Sequence, residues 1–418
     1  MKKEAIRQVV LVRVLGALLL LVLWGTTHAQ EEKRPPLHVP EVVNAAADFV
    51  PPGWRLEKEM LREEDLNGDG RPDAALVLTH GGNGPSVDAQ FSKHVLVLAL
   101  RGSDGKLHRS IVSDAAVLDG DEGGVFGDPF DGLMIERGAV VISHYGGSRD
   151  RWSYTHRYRY QNGGWMLIGL TLGSLDTLDP EHFNEQDINL STGLVNGGEK
   201  GESVTEDGKK ARNPKISGSY YELQALPVDQ APKIDGQFSS DEWPGYTVRL
   251  YDKRHVYRNA QLWRGVGDLS AQLHTVRIGD DLFLCAQVTD SDVTPGDSVR
   301  LATKKGQFIK PVESKLSRSG KGYVFEARYS LKGIGKLANP GDQYAGEELE
   351  TYLTPDDFGD LSGFQLQLAV EVVDVDEAAA PKERSMMSTR VSGSPYNGAI
   401  RIFRKGTLVL VSDTEEQN

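Results

Sequence analysis

The sequence predicts an all-β protein of two β-rich domains, the second an antiparallel β-sandwich of jelly-roll or immunoglobulin-like type. Three observations lead there. Short apolar runs recur along the chain, bounded by Gly, Asn, Asp or Pro. Some neighbouring runs are separated by turn-sized gaps, which suggests hairpins: Trp152–Tyr160 and Trp165–Leu170 about Gln161–Gly164, and Val276–Ile278 and Leu282–Val288 about Gly279–Asp281. Helical periodicity is scarce, with Glu41–Phe49 and Leu175–Asn184 as short candidates.

The N-terminus has the parts of a secretory signal. Lys2, Lys3 and Arg7 supply positive charge, Val9–Trp24 an apolar run, and Thr27-His28-Ala29 the small residues read at cleavage, which places the new N-terminus at Gln30. The uninterrupted apolar stretch, Val14–Trp24, is 11 residues, short of the about 20 a spanning helix needs. The chain is therefore expected to be exported, periplasmic or extracellular, with no stable membrane span after cleavage. The segment 1–29 carries Lys2, Lys3, Arg7 and Arg13 against Glu4, a net +3, so its loss takes the formal charge from −13 to −16. Such an acidic chain is repelled by phosphate backbones, which argues against nucleic acid as a partner. Cys285 is the single cysteine, so no intramolecular disulfide can form; its apolar run reads as buried.

Composition divides the rest. Residues 30–48 read as a polar, Pro-bearing tether, 49–197 as the first β-rich domain, 198–218 as a Gly- and charge-rich linker, 219–412 as the sandwich, and 413–418 as an acidic tail.

The most specific short motif is Asp65-Leu-Asn-Gly-Asp-Gly-Arg-Pro-Asp73. Side-chain oxygens at Asp65, Asn67 and Asp69, a glycine at the sixth position and Asp73 at the ninth would curl around a hard cation, so a structural Ca²⁺ is expected on Asp65, Asn67, Asp69 and Asp73. The same residue types also favour turns without metal. Leu76 stands where an EF-hand places its bidentate Glu, and a strand-like run follows. The loop instead resembles FG-GAP-type calcium loops, over roughly residues 65–78. The acidic, glycine-rich stretch Asp119–Asp131 reads as a solvated loop.

In the second domain, "IDG" (234–236) and "DEW" (241–243) are followed by Val288-Thr-Asp290, Asp297-Ser-Val299, Glu326-Ala-Arg-Tyr-Ser330 and Val372-Val-Asp-Val-Asp376. In this order they resemble family 9 carbohydrate-binding modules, across about residues 231–404. The resemblance implies a β-sandwich and a polysaccharide or cell-envelope glycan as partner. The aromatic that many members carry before "DSV" is missing from Thr294-Pro-Gly-Asp297. Trp243 reads as packing, while Trp263, Tyr251 and Tyr257 are the candidate ligand platform. Asp290, Asp292 and Asp297 form a possible cation site or a strand-end turn.

No zinc pair, nucleophile elbow or P-loop motif is present in the sequence. The reading is a non-catalytic binding protein; a glycan-degrading enzyme and a protein-interaction scaffold are the alternatives.

Overall fold

The computed structural model describes residues 37–56, 58–81, 92–161, 163–179, 183–200, 203–204, 210–211, 217–339, 349, 363–376, 385–391, 394 and 397–403. The expected signal peptide and acidic tail lie outside them, as do residues 30–36 of the expected tether.

The first part is built by β1 (Val42–Val43), β2 (Leu61–Glu64), β3 (Asp73–His80), β4 (Lys93–Arg101) and β5 (Leu107–Ser113), in the sheet order β1-β5-β4-β3-β2. It faces a meander of long strands: β6 (Phe130–Glu136), β7 (Ala139–Gly147), β8 (Asp150–Gln161), β9 (Gly164–Asp176), β10 (Phe183–Asn189) and β11 (Leu194–Lys200). Alternate residues such as Ala75, Val77, Leu96 and Leu98 from one sheet meet Val140, Ile142, Tyr158 and Leu167 from the other in one core, as period-2 strands require. The short pair β12 (Ser203–Val204) and β13 (Lys210–Ala211) follows.

One strand, β14 (Ser217–Pro227), joins the halves. Its first residues pair with β11, Leu194 opposite Tyr221. Its later residues run parallel to β26 (Ala399–Ile402), and its last two parallel to β17 (Leu269–Ile278). The side chains along β14 divide between two cores: Tyr220 and Leu226 enter the first, Tyr221, Leu223 and Ala225 the second. Glu222, which is fully buried, forms a two-pronged ion pair with Arg401 at 2.6 and 3.0 Å and also accepts from Gln365.

The second sandwich sets β17, β18 (Asp281–Asp290), β22 (Gly322–Ser330), β21 (Glu313–Ser319) and the short β15 (Val248–Leu250) in one layer. The other layer is β16 (Val256–Arg258), β25 (Ser385–Ser388), β24 (Leu368–Asp374), β19 (Ser298–Thr303) and β20 (Phe308–Ile309). A further strand, β23 (Phe364–Leu366), pairs with β26. Leu273, Leu284 and Ala286 meet Leu301, Val370 and Val372 between the layers. Trp243 is 3% exposed and packs with Val276, Phe283 and Cys285, where burial pushes the Cys285 thiol pKa up. The "IDG" turn is held by Glu326, whose carboxylate accepts the N–H groups of Asp235 and Gly236.

The fold is the all-β one expected, and the hairpins form where the sequence places them: Gln161 faces Gly164, and Ile278 faces Asp281. Three expectations are corrected. Residues 39–48 are not a free tether, because Val39, Val43 and Ala46 are buried, β1 pairs with β5, and a 3₁₀ turn spans Ala46–Phe49 in place of a helix. In the second helix candidate, Leu175–Asp176 and Phe183–Asn184 are instead the ends of β9 and β10, with Leu175 facing Phe183. The expected linker begins inside β11 and ends inside β14, whose main-chain ladders bind the halves into one sheet. The second sandwich's own strands pair antiparallel as expected, and the shared strand β14 joins them parallel to β26 and β17. Among the described residues no helix is long and apolar enough to cross a membrane.

Candidate ligand-binding site

A groove of 530 Å³ lies where β14 passes from one sandwich to the other. Strand β15 supplies one wall by simple alternation: Val248 and Leu250 are buried in the core, and Arg249 between them is exposed. Tyr246 and Thr247 precede that strand and Tyr251 follows it, all lining the groove. The opposite wall is the β10–β11 turn, with Ser191, Thr192 and Leu194. Gly193 locks that turn in place. Its φ is +72°, and an added Cβ would stand 2.5 Å from Val248 and 2.6 Å from the Glu222 carbonyl oxygen. The Gly193 carbonyl accepts the Glu222 N–H at 2.7 Å. Glycine is the residue that permits both the left-handed φ and the close approach.

The groove is rich in tyrosine. Tyr221 rises from β14 with its ring 4.4 Å from the buried His255, and Tyr251 packs on the same imidazole at 5.6 Å while remaining 52% exposed. Burial raises the Tyr221 and Tyr246 hydroxyl pKa values, keeping both neutral donors. Gln161, from the first sandwich, donates to the Tyr246 hydroxyl at 3.0 Å. Asp252 orients the Arg254 guanidinium through Nε at 3.0 Å, whereas Arg249 is exposed and makes no ion pair among the described residues. None of the groove-lining residues is a carboxylate.

Of the three residues expected to form a platform, Tyr251 alone lines this groove. Trp263 is half-buried against the second core, and its indole N–H donates to the Leu269 carbonyl at 2.9 Å. Tyr257 packs beside Val373, Val375 and Met386, with the Arg390 guanidinium 5.4 Å from its ring centre. The structure therefore separates these residues instead of assembling them. Tyr221, Tyr246, Arg249, Arg254 and Ser191 were missed. The alternation Thr247-Val-Arg-Leu-Tyr251 carried a usable signal for one wall; nothing local marked the wall from the other half.

The Asp65 loop has the expected curl but answers most of its own oxygens. Asp65 accepts main-chain N–H groups from Gly68, Asp69 and Gly70, and the bond from Gly70 does most to hold its carboxyl below the usual range. Asn67 donates to Asp69, which also pairs with Arg71. Asp73 is fully buried, and its oxygens take the N–H groups of Leu66, Asn67 and Arg101. It organises the loop from within. Asp65, Asn67 and Asp69 are the motif's acidic and amide side chains that stay at or near the surface.

In the Asp119–Asp131 stretch, Asp119 accepts from Lys93 and from the His94 N–H, and Asp128 meets His94 Nε2 at 2.8 Å. These carboxylates anchor the loop to β4. Of the possible cation group in the second domain, Asp290 and Asp297 come together, joined by Asp374 instead of Asp292. Burial, together with the facing Asp297, raises the Asp290 pKa, and burial pushes Asp374 up to about 7.

No protein-family model matches this chain, and no curated protein matches it. Among solved structures it is similar to a family 9 carbohydrate-binding module from Caldicellulosiruptor kristjanssonii in complex with glucose, at 12% identity over 44% of this chain and 95% of that one, with a TM-score of 0.27. The same organism's module in complex with cellotriose gives 14% identity, coverage of 46% and 96%, and a TM-score of 0.27. A TM-score this low has no bearing on site or ligand.

Proposed function

We propose that this chain is an exported, non-catalytic binding protein that holds a saccharide in the groove of Tyr221, Tyr246 and Tyr251. The observation that carries the reading is the groove's chemistry: three tyrosine rings, two arginines and the hydroxyls of Ser191, Thr192 and Thr247 around 530 Å³. Sugars present an apolar C–H face and a rim of hydroxyls, which rings and polar side chains meet together, and the volume suits a small-molecule site. Glycoside hydrolysis needs two facing carboxylates, and the groove lining contributes none. A structural Ca²⁺ on Asp65, Asn67 and Asp69 belongs to the same proposal, supported by their convergence on an exposed turn.

The test is titration of the full chain with cello-, xylo- and peptidoglycan-derived oligosaccharides. Tyr251→Ala is expected to weaken binding about fivefold or more, the value of about 1 kcal/mol for one aromatic face. Tight binding unchanged by Tyr251→Ala, or turnover of any of these sugars, would remove the reading. A protein-docking alternative has one observation behind it. Val125 is 77% and Phe126 50% exposed beside Tyr145, with the Arg151 guanidinium 3.6 Å above the Phe126 ring. Phe126→Ser would leave saccharide binding intact if the groove is the site.

A further inference from the structure

Three aspartates from separate strand ends meet inside the second sandwich: Asp290 closes β18, Asp297 directly precedes β19, and Asp374 closes β24. One carboxylate oxygen from each lies within 4.8 Å of the others. The residues are 1%, 2% and 1% exposed. Asp297 accepts from the Thr294 N–H and hydroxyl and from the Val375 N–H. Asp290 Oδ1 accepts the Asp292 N–H, and Asp374 Oδ2 the Ser385 hydroxyl. Their remaining oxygens, Asp290 Oδ2 and Asp374 Oδ1, have no hydrogen-bond partner.

A fourth buried group stands on the neighbouring strand. Tyr323 lies near the start of β22, is 2% exposed, and its hydroxyl has no partner. In the β18–β22 ladder Tyr323 lies opposite Val288, which shares its sheet face with Asp290 two residues on. The nearby arginines are occupied elsewhere. Arg264 pairs with Asp268 and Asp376, and Arg318 donates to the main-chain carbonyls of Thr294 and Asp297. Among the described residues none of the three aspartates has an ion-pair partner.

We propose that Asp290, Asp297, Asp374 and Tyr323 hold one calcium ion that ties the two layers of the second sandwich together at this end. Buried carboxylates without a counter-charge are costly, and unanswered buried oxygens add to the cost. A cation removes both penalties at once. The donors are all oxygen, which selects a hard ion, and Mg²⁺ gives up its waters reluctantly, so burial favours Ca²⁺. Asp290 and Tyr323 belong to one layer, Asp297 and Asp374 to the other, and the ion would bridge them. The competing neutraliser is a proton shared between Asp290 and Asp297.

Calorimetric titration of the chelator-stripped full chain decides between them. An Asp65→Asn, Asp69→Asn background silences the exposed loop. In that background one equivalent of Ca²⁺ is expected, with Mg²⁺ at least tenfold weaker. Adding Asp374→Asn should weaken Ca²⁺ at least a hundredfold, while raising the melting temperature of the cation-free protein because one buried like charge is gone. Tyr323→Phe should weaken Ca²⁺ severalfold. If circular dichroism shows that Asp374→Asn has not folded, Asp290→Asn takes its place. No calcium uptake in the background protein, or uptake indifferent to Asp374→Asn and Asp290→Asn, overturns the site. Equal affinity for Mg²⁺ overturns the assignment to calcium.

Discussion

The first sandwich is made from consecutive strands, with β6 to β11 each pairing with the next, whereas the second takes in β14, a strand already paired with the first. The contrast has a physical reason. A sheet edge exposes unpaired main-chain groups, and β14 covers the edge of β11 along its first residues and those of β26 and β17 along its last. Covering both edges with one strand gives the halves a common boundary, and the groove opens at that boundary. A ligand bound there would touch both halves.

Cutting the chain is the severest way to break this arrangement. A fragment 219–418 loses β11 and exposes Tyr220, Leu226 and Phe403, which belong to the first core. It is expected to aggregate or to melt far below the full chain, and differential scanning calorimetry of both proteins checks this. The full chain should show one transition.

The buried pair at the boundary comes next. Arg401→Met leaves Glu222 charged and uncompensated where both residues are at most 2% exposed. Losing one partner of a buried pair costs about 3–5 kcal/mol. Adding Glu222→Leu should restore much of that loss, and urea denaturation of the parent chain and the two variants measures it.

Acid acts on both halves, because burial lowers two histidines in each: His144 and His156 in the first sandwich, His255 and His274 in the second. Desolvation lowers His144 to about 4 and His156 to about 3, while His274 in the second sandwich falls to about 4. The Leu118 N–H donates to His144 Nε2 at 3.1 Å, a bond that needs the neutral ring. A folded pKa below the unfolded value means the unfolded chain binds more protons between the two. Stability from these groups is therefore complete above about pH 6.5 and falls as pH drops toward 4, by about 1.4 kcal/mol per pH unit per histidine. His156→Phe should flatten the slope by one such share.

Gly193→Ala is the smaller perturbation. Overpacking against Val248 and the Glu222 carbonyl, together with a left-handed φ, is expected to cost about 1–3 kcal/mol. Saccharide affinity should fall with it, because the wall bearing Ser191 and Thr192 must shift.

These features differ in how legible they were. Strand identity followed from side-chain alternation, and the hairpins from gaps such as Gly279-Asp280, so class and local pairing were readable. The boundary was not. Residues 196–200 and 217–218 lack apolar periodicity because main-chain hydrogen bonds, to which any residue contributes, hold them in the sheet. The same limit applied to the sites. Asp65, Asn67 and Asp69 announce themselves by spacing, yet Asp73 turned inward. Asp374 stands far from Asp290 and Asp297 in sequence and joins them only because β24 pairs with β19. Trp263 looked like a platform by type, but its environment was set by a carbonyl six residues on.

The central claim is that both halves build one ligand site, and hydrogen exchange of the full chain tests it most directly. The chain would be compared alone and saturated with the tightest-binding of the cello-, xylo- and peptidoglycan-derived oligosaccharides. Shared construction predicts simultaneous protection of amides at 191–194 and at 246–254. Protection confined to the second sandwich, or centred on Trp263 and Tyr257, would contradict it.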